Sequence, residues 1–269
     1  MTLRRVVSRR LVGVLAVLAI CLAASAIVET QRFGRGGRRQ RVVPSGEDNV
    51  SYDGRFTFVR LRYRMGMNGF GGGRGGRDEP WSHDYPRAER NFEKILDEIT
   101  LIAPYLGGSN ILSLDDDELF KYPLAYMSEP GFWTLDDAET EALRSYMLKG
   151  GFIIFDDFRG SHWYNFEQQL MRVLPDAKLV ELDVSHPVFH SFFEIETLDF
   201  VQFYSRSGRP VFYGVFENND PEQRLLLIAN YNNDIGEYWE FSDTGFVPID
   251  LSNEAYKLGV NYVVYAMTH

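Results

Sequence analysis

The sequence predicts one α/β domain with a doubly wound, largely parallel sheet, helices on both faces and an antiparallel addition at one edge. From about residue 55 onward, strand-like runs alternate with runs of helical periodicity, which is the order of parallel strands joined by helices. The run Phe152–Phe155 is short, apolar and preceded by two glycines, which is typical of a strand buried on both faces. Residues 211–231 hold two strand-like runs with no helix between them, and this indicates the antiparallel edge.

The individual elements follow from the spacing of apolar residues. A helix over residues 86–103 is predicted because apolar residues recur there at helical spacing with acids on the other face. A second helix follows over 135–149, with Thr134 as its expected cap and Asp137 three residues later. Further helices are expected over residues 163–173 and 252–267. Strands are expected over residues 56–63, 111–112, 124–127, 151–155, 178–182, 211–216 and 224–229.

Residues 1–30 have the composition of a signal peptide or of an N-terminal membrane anchor. Four arginines precede an apolar stretch over residues 11–28, and Ala24, Ser25 and Ala26 supply the small residues that a signal peptidase reads. The stretch is near the lower limit of about 17 residues for a spanning helix, so an uncleaved anchor is the alternative. Residues 31–54 resemble a linker, and the domain is expected over 55–269.

This N-terminus predicts an exported protein, periplasmic or otherwise extracytoplasmic, that contacts the membrane only through its first segment. The chain has 28 basic and 38 acidic residues, and residues 1–42 contain nine of the basic and one of the acidic ones. The rest therefore has 19 basic and 37 acidic residues, a net charge near −18. Such a domain repels phosphate backbones, so nucleic acid is excluded as an expected partner. The only cysteine is Cys21, which leaves the domain without a thiol nucleophile.

A glycine-rich segment follows the first predicted strand. Residues 65–76 contain seven glycines, and a mobile loop is the expected structure because ordering so many glycines is entropically costly. A phosphate-cradling loop is the alternative. The spacing fits no P-loop, since no Gly-Lys-Ser/Thr follows.

The main candidate site lies where the central strand ends. Asp156 and Asp157 follow that strand, and ligands of parallel sheets bind beyond the carboxyl ends of the strands. Residues 81–86 come after the first strand and are expected at the same edge. Two carboxylates about 4 Å apart repel by about 4 kcal/mol at an effective dielectric near 20, which favours a shared proton or a bound cation. Asp84, Asp156 and Asp157 are therefore the candidate metal ligands.

Each of these residues also has a structural interpretation. Asp84 could cap the helix that begins near Pro86, and acids at a strand end often accept hydrogen bonds from loop amides. His186 and His190 have a metal-like spacing only within a helix, which Pro187 disfavours, although His186 could still reach the site. The complete candidate pocket comprises Trp81, His83, Asp84, Tyr85, Tyr126, Asp156, Asp157, His186, Asn232 and Trp239.

Two other patterns carry little chemistry. Residues 230–236 alternate oxygen-bearing side chains as a calcium loop does, but the glycine falls one place late and Phe241 occupies the twelfth position. Turn formation explains that segment adequately. A serine hydrolase is disfavoured because no Gly-x-Ser-x-Gly elbow occurs.

Several motifs together resemble the bacterial DUF4159 domain family over about residues 56–269. The matching residues are Arg60-Leu61-x-Tyr63, Asp84-Tyr85-Pro86 with Asn91 and Thr100, Tyr122-Pro123-x-x-Tyr126-Met127, Leu143-Arg144, Gly150-Gly151-Phe152, Asp156-Asp157, His186-Pro187-Val188-Phe189, Asn232 to Glu240, and Gly259-Val260-Asn261. The resemblance implies a relative of the class I glutamine amidotransferase-like fold, which has a flavodoxin-like sheet. It implies architecture rather than activity, and the amidotransferase cysteine is replaced here by Asp156-Asp157.

Two functions are consistent with these residues: the first is the one that the sequence favours, and the second is the alternative. The first is a noncatalytic module of the cell envelope that binds a small ligand or an envelope protein in a pocket at the strand ends. The second is a metal-assisted hydrolase that uses Asp84, Asp156, Asp157 and a nearby histidine. The sequence indicates no particular cofactor.

Overall fold

A central sheet with parallel strands in its middle organises the protein. The computed structural model describes residues 49–65, 79–199 and 208–269, all within one compact unit, Val43–His269. The strands of these residues are β1 (Val59–Arg62), β2 (Arg64–Met65), β3 (Asn110–Ser113), β4 (Leu124–Ser128), β5 (Trp133–Thr134), β6 (Phe152–Phe158), β7 (Val180–Glu181), β8 (Val211–Phe216) and β9 (Leu225–Tyr231). Their α-helices are α1 (Arg87–Ile99), α2 (Asp137–Leu148), α3 (His162–Val173), α4 (Ile235–Phe241) and α5 (Ile249–Thr268).

The strand order confirms the predicted fold class. Seven strands form the sheet in the order β3-β1-β4-β6-β9-β8-β7. The first five of these are parallel, while β8 is antiparallel to β9 and β7 is antiparallel to β8. Strands β2 and β5 form a separate antiparallel pair. The antiparallel edge predicted over residues 211–231 is therefore present.

Two apolar layers cover the two faces of the sheet. Helices α1, α4 and α5 contribute Phe92, Trp239 and Val260 to one core cluster, which also contains Ile154 of β6. Helices α2 and α3 pack on the other face, where Phe155 of β6 lies. All residues of β6 are buried, because successive side chains alternate between the two covered faces.

The helix ends differ from the predicted ones for local reasons. Helix α1 ends at Ile99 rather than at residue 103, since Thr100 is extended and its hydroxyl donates to the Leu96 carbonyl oxygen. The predicted cap of α2 was wrong: Asp136 caps that helix in a reciprocal capping box with Glu139. Thr134 lies instead in β5.

The prediction missed helix α4 entirely, because the Asn/Asp-rich segment before it has the composition of a turn. Helix α5 begins at Ile249, before the predicted residue 252, and the strand predicted over 178–182 is only β7.

Strand β6 continues through Asp157 to Phe158, beyond its predicted end. Its register with β9 shifts between Phe155 and Phe158, so the strand bulges at the two aspartates.

The outer edge of β3 is covered by the chain that precedes β1. Asn49 Nδ2 donates to the Ile111 carbonyl oxygen at 2.7 Å, and the Ile111 amide donates to Asn49 Oδ1 at 2.7 Å. Val50 and the side chain of Asn110 exchange a second pair of hydrogen bonds. The last residues of the predicted linker therefore lie along β3.

The N-terminal predictions concern residues outside the described ranges. The signal peptide or anchor over residues 1–30 lies there, as does the glycine-rich loop apart from Met65 in β2. Among the residues that the structure describes, none of the helices is long and apolar enough to cross a membrane.

Candidate functional site

One imidazole and five carboxylates meet at the carboxyl ends of β4 and β6. His83 Nδ1 lies 2.7 Å from Asp157 Oδ2 and 3.6 Å from Asp84 Oδ1. The potential ligand atoms form two sets, and His83 belongs to both. Within each set, the atoms lie within 4.8 Å of one another. We call these residues the His83 cluster: His83, Asp84, Glu129, Asp157, Asp234 and Glu237.

Different elements bring the members of the cluster together. Glu129 directly follows β4, and Asp157 is the penultimate residue of β6. Asp234 caps helix α4 through a hydrogen bond from the Glu237 amide, at 2.9 Å, to its carboxylate. Glu237 itself lies in the first turn of that helix. His83 precedes α1, so the site depends on the fold rather than on one local motif.

The backbone is constrained where it carries the cluster. Among the described residues, six residues other than glycine have positive φ, and three of them are Asp84 at 65°, Glu129 at 48° and Asp157 at 56°. Left-handed backbone is unfavourable for such side chains and tends to occur at functional sites. The surrounding fold therefore holds three of the carboxylates in orientations that relaxed backbone would not provide.

A buried arginine on β1 fixes the loop that carries His83. The Arg60 guanidinium is 1% exposed and is paired with Glu89 of α1. Its Nη1 atom donates to the carbonyl oxygens of Trp81, at 2.9 Å, and His83, at 2.8 Å. Because its charge is paired with Glu89 and its Nη1 atom is used on two carbonyl oxygens, Arg60 stabilises the loop, and its charge also interacts with that of Asp84.

The electrostatics of the cluster reflect an excess of buried negative charge. The pKa of the His83 imidazole lies well above its ordinary value, chiefly because of the Asp84 charge and then because of its hydrogen bond to Asp157. Burial, followed by the charge of Asp157, raises the pKa of Glu129 to about 8. Burial, followed by the charge of Asp84, raises the pKa of Glu237 to about 8. Glu129 and Glu237 thus retain their protons well above the usual pH range of a glutamate.

Asp156 lies beside the cluster, but its carboxylate stabilises the fold and is not a member of the cluster. It is fully buried, and its Oδ2 atom accepts hydrogen bonds from the Tyr126 hydroxyl at 2.8 Å and from the Ile235 and Gly236 amides at 2.9 and 3.1 Å. Asn230 donates to Oδ1 at 3.0 Å. The carboxylate that was predicted as a metal ligand therefore holds the start of α4, which matches the structural interpretation of strand-end acids.

Asp84 does not cap helix α1 with its side chain. The helix begins after Pro86, and the backbone carbonyl oxygen of Asp84 accepts from the Arg87 and Ala88 amides. The Asp84 carboxylate is fully buried and lies in the cluster instead. The chain thus uses the backbone of this residue for the helix and its side chain for the site.

Several predicted pocket residues belong to the core. Trp81, Tyr126 and Trp239 are each at most 1% exposed, so they are not on the rim of a pocket. Tyr85 is partly buried, with its ring beneath the Arg60 guanidinium at 5.8 Å. Asn232 is 7% exposed and follows β9 close to the cluster in sequence.

His186 lies at the opposite edge of the sheet. It contacts the Phe216 and Tyr265 rings, and its Nδ1 atom accepts from the Val188 amide at 3.2 Å. With Arg224, it lines a cavity of about 640 Å³ near the amino ends of β6 and β9. His186 is therefore not part of the site, because the length of the parallel strands separates their amino ends from their carboxyl ends.

Sequence reasoning missed Glu129 and Glu237 as candidates. Glu129 directly follows a strand that was predicted, so the strand-end rule applied to Asp156 would also have selected it. Glu237 had no comparable signal, because its helix was not predicted. Asp234 was noted only as part of the calcium-like segment.

These features define an α/β protein with a histidine–carboxylate cluster at the carboxyl ends of its central strands. The chain belongs to the family described as "Domain of unknown function (DUF4159)", whose family model matches residues 57–267. None of the curated proteins matches the chain.

Proposed function

We propose that the protein is a metal-dependent hydrolase whose divalent cation is held by the His83 cluster. The observation that carries the proposal is the convergence of one imidazole and five carboxylates, with the potential ligand atoms of each set within 4.8 Å. Carboxylate oxygens are the ligands that Mg²⁺ and Mn²⁺ use in proteins, and Zn²⁺ and Fe²⁺ also bind imidazole nitrogens. The proposed ligands differ from the predicted ones. Asp156 is not among them, and Asp234, Glu129 and Glu237 are added.

Charge balance supports a cation rather than a purely structural cluster. Asp84 and Asp234 are at most 5% exposed and Asp157 is 8% exposed, so water screens their repulsion poorly. Within the cluster, His83 is the one cationic side chain. A divalent ion would offset the remaining negative charge and would displace the protons that burial retains on Glu129 and Glu237.

The chemistry of such an ion is the activation of water. A bound divalent metal lowers the pKa of a water ligand, to about 7 where the metal is Zn²⁺, and a cluster carboxylate that is not coordinated would accept the proton. The His83 side chain is 37% exposed, so the edge of the site is open to solvent. This opening is the expected route of a hydrolysable substrate.

A noncatalytic, cation-dependent binding module is the second candidate. The observation that favours it is the depth of the cluster, in which Asp84 is fully buried and Asp157 and Asp234 are at most 8% exposed. A metal in that position would order the loops and present them to a small ligand or an envelope protein. The two candidates share the metal and differ in turnover.

Location outside the cytoplasm is part of the proposal. It is supported by the basic and apolar composition of residues 1–30. Fractionation of cells expressing the full chain tests it, with recovery in the cytosol as the contradicting outcome. Kinship with the glutamine amidotransferase-like fold stays a prediction.

Metal binding is tested by titrating the EDTA-treated, dialysed protein with Mn²⁺ in a calorimeter and by thermal unfolding with Mg²⁺, Ca²⁺, Mn²⁺ or Zn²⁺. Mn²⁺ at 100 times its Kd stabilises by about 2.7 kcal/mol, which corresponds to about 5–10 °C in Tm for a domain of this size. Asp84→Asn and Asp157→Asn should abolish the shift. Asp115→Asn, an exposed acid in a turn, is the matched control and should leave it unchanged.

Turnover separates the two candidates. The wild-type protein and Asp157→Asn are incubated with bis-p-nitrophenyl phosphate and p-nitrophenyl acetate, with Mn²⁺ or with EDTA. Mn²⁺-dependent release of p-nitrophenol that Asp157→Asn loses supports the hydrolase. Mn²⁺ binding without release favours the binding module, and failure of every ion to bind or to raise Tm contradicts both.

A further inference from the structure

The carboxylate of Asp156 connects three elements at the edge of the His83 cluster. It lies on β6, one residue before Asp157, and its four hydrogen bonds come from β4, β9 and the first turn of α4. Helix α4 carries Asp234 at its cap and Glu237 in its first turn. The Ile235 and Gly236 amides that bind Asp156 lie between these two carboxylates.

We infer that Asp156 is a positioning residue that sets the Asp234–Glu237 pair against His83, an inference that rests on the proposed metal site. Its carboxylate takes two first-turn amides of α4, while Asp234 takes the Glu237 amide at 2.9 Å. The start of this helix is thus held from β6 on one side and by its own cap on the other. Loss of the β6 attachment removes both hydrogen bonds that tie the first-turn amides of α4 to the Asp156 carboxylate, so the orientation of both potential ligands becomes less constrained.

Close packing makes the arrangement specific to this orientation. A Cβ atom on Gly236 would lie 2.6 Å from the Tyr126 hydroxyl oxygen and 2.7 Å from Asp84 Oδ2. The first turn of α4 therefore abuts both the Asp156 network and a cluster carboxylate. A shift of this turn changes the distances between Asp84 and the α4 carboxylates directly.

The network also explains why residue 156 is an aspartate rather than an asparagine. Asn230 Oδ1 accepts from the Tyr262 hydroxyl at 3.1 Å, which fixes the Asn230 Nδ2 group toward Asp156. Both oxygens of residue 156 thus face donors, and an asparagine there would direct its own NH₂ group at one of them. Exchanging the two residues, as Asp156→Asn with Asn230→Asp, restores a donor–acceptor match and the same total charge.

The experiment measures Mn²⁺ affinity by calorimetry in the full chain. Asp156→Asn should weaken Mn²⁺ binding at least tenfold, the scale of loss when a group that orients metal ligands is removed. The exchanged double variant should return to within about threefold of wild type. Hydrogen exchange of residues 235–241 should be faster in Asp156→Asn and should recover in the double variant, with or without Mn²⁺.

A matched control separates positioning from general stability. Asp136→Asn removes the charged cap of α2, which lies on the other face of the sheet, and should leave Mn²⁺ affinity unchanged. If Asp156→Asn does not fold, Tyr126→Phe replaces it, because it removes one donor and keeps the carboxylate; a loss of about threefold is then expected.

The outcomes distinguish the two ideas. Absence of Mn²⁺ binding in the wild-type protein overturns the proposed metal site and this inference with it. Binding by wild type, with Asp156→Asn or its Tyr126→Phe substitute no weaker than Asp136→Asn, overturns the positioning role alone. Unchanged exchange of residues 235–241 in a folded Asp156→Asn variant has the same consequence.

Discussion

Glu93 of helix α1 offers a sharp test of buried charge in this fold. Its side chain is completely buried, its Oε1 atom accepts only a long hydrogen bond of 3.4 Å from the Phe58 amide, and Oε2 has no partner among the described residues. The pKa of Glu93 is raised from 4.5 to about 8, chiefly by burial and also by the Glu89 charge, while the Phe58 amide and Arg90 act in the opposite direction. The folded protein therefore holds this carboxyl in its protonated form at neutral pH.

The sign of the pH dependence follows from this shift. The unfolded chain loses the Glu93 proton near pH 4.5, whereas the folded chain keeps it until about pH 8, so stability falls as pH rises between these values. At about 1.4 kcal/mol per pH unit, the ceiling of the loss is about 5 kcal/mol. Rearrangement around the charged form reduces it, and about 2–3 kcal/mol is the expected effect.

Glu93→Gln removes the titration while keeping an oxygen for the Phe58 amide. Urea unfolding at pH 5 and pH 9 should show the variant gaining about 2–3 kcal/mol over wild type at the higher pH relative to the lower one. Glu98→Gln on the exposed face of the same helix is the control and should gain nothing. A pH-dependent difference below about 0.5 kcal/mol in Glu93→Gln would refute the reasoning.

Three further predictions concern packing, the buried ion pair and the metal. Gly259→Ala should lower stability by about 1–3 kcal/mol in urea unfolding, because the new Cβ would lie 2.5 Å from the Trp239 ring; a gain, as for an ordinary helical glycine, would contradict this. Arg60→Met should cost about 3–5 kcal/mol by the same assay, because it leaves a buried carboxylate unpaired, and replacing that partner by leucine as well should recover most of the loss. Mn²⁺ affinity should increase from pH 6 to pH 9, because the pKa of each cluster glutamate is about 8 and their protons must leave; calorimetry showing no pH dependence would count against coordination by these glutamates.

The sequence was informative about the sheet because its strands are marked by composition. Runs such as Val211–Phe216 are apolar and bounded by turn residues, and the predicted and observed limits agree. The alternation of these strands with helices then predicted a largely parallel sheet. Helix α4 escaped detection because it has only seven residues and starts within an Asn/Asp-rich segment. Its start is held by Asp156, which lies far away in sequence and gives no local signal.

The candidate site was predictable only in part for a related reason. His83, Asp84 and Asp157 were found because they follow predicted strands or adjoin a predicted helix. The strand-end rule could not separate Asp156 from Asp157, because the bulge in β6 sends these neighbours into different surroundings. Assignment of their roles required the tertiary hydrogen bonds of Asp156.

The contact between Asn49 and β3 has a consequence for how the protein is prepared. The side-chain amide of Asn49 is hydrogen-bonded to both the backbone N–H and the backbone C=O of Ile111, as a neighbouring strand would be. Truncation of the chain beyond this asparagine would expose the backbone N–H and C=O groups of β3, and exposed edge strands pair with strands of other molecules. Shortened versions should therefore differ from longer ones first in self-association, before any change in the folded interior.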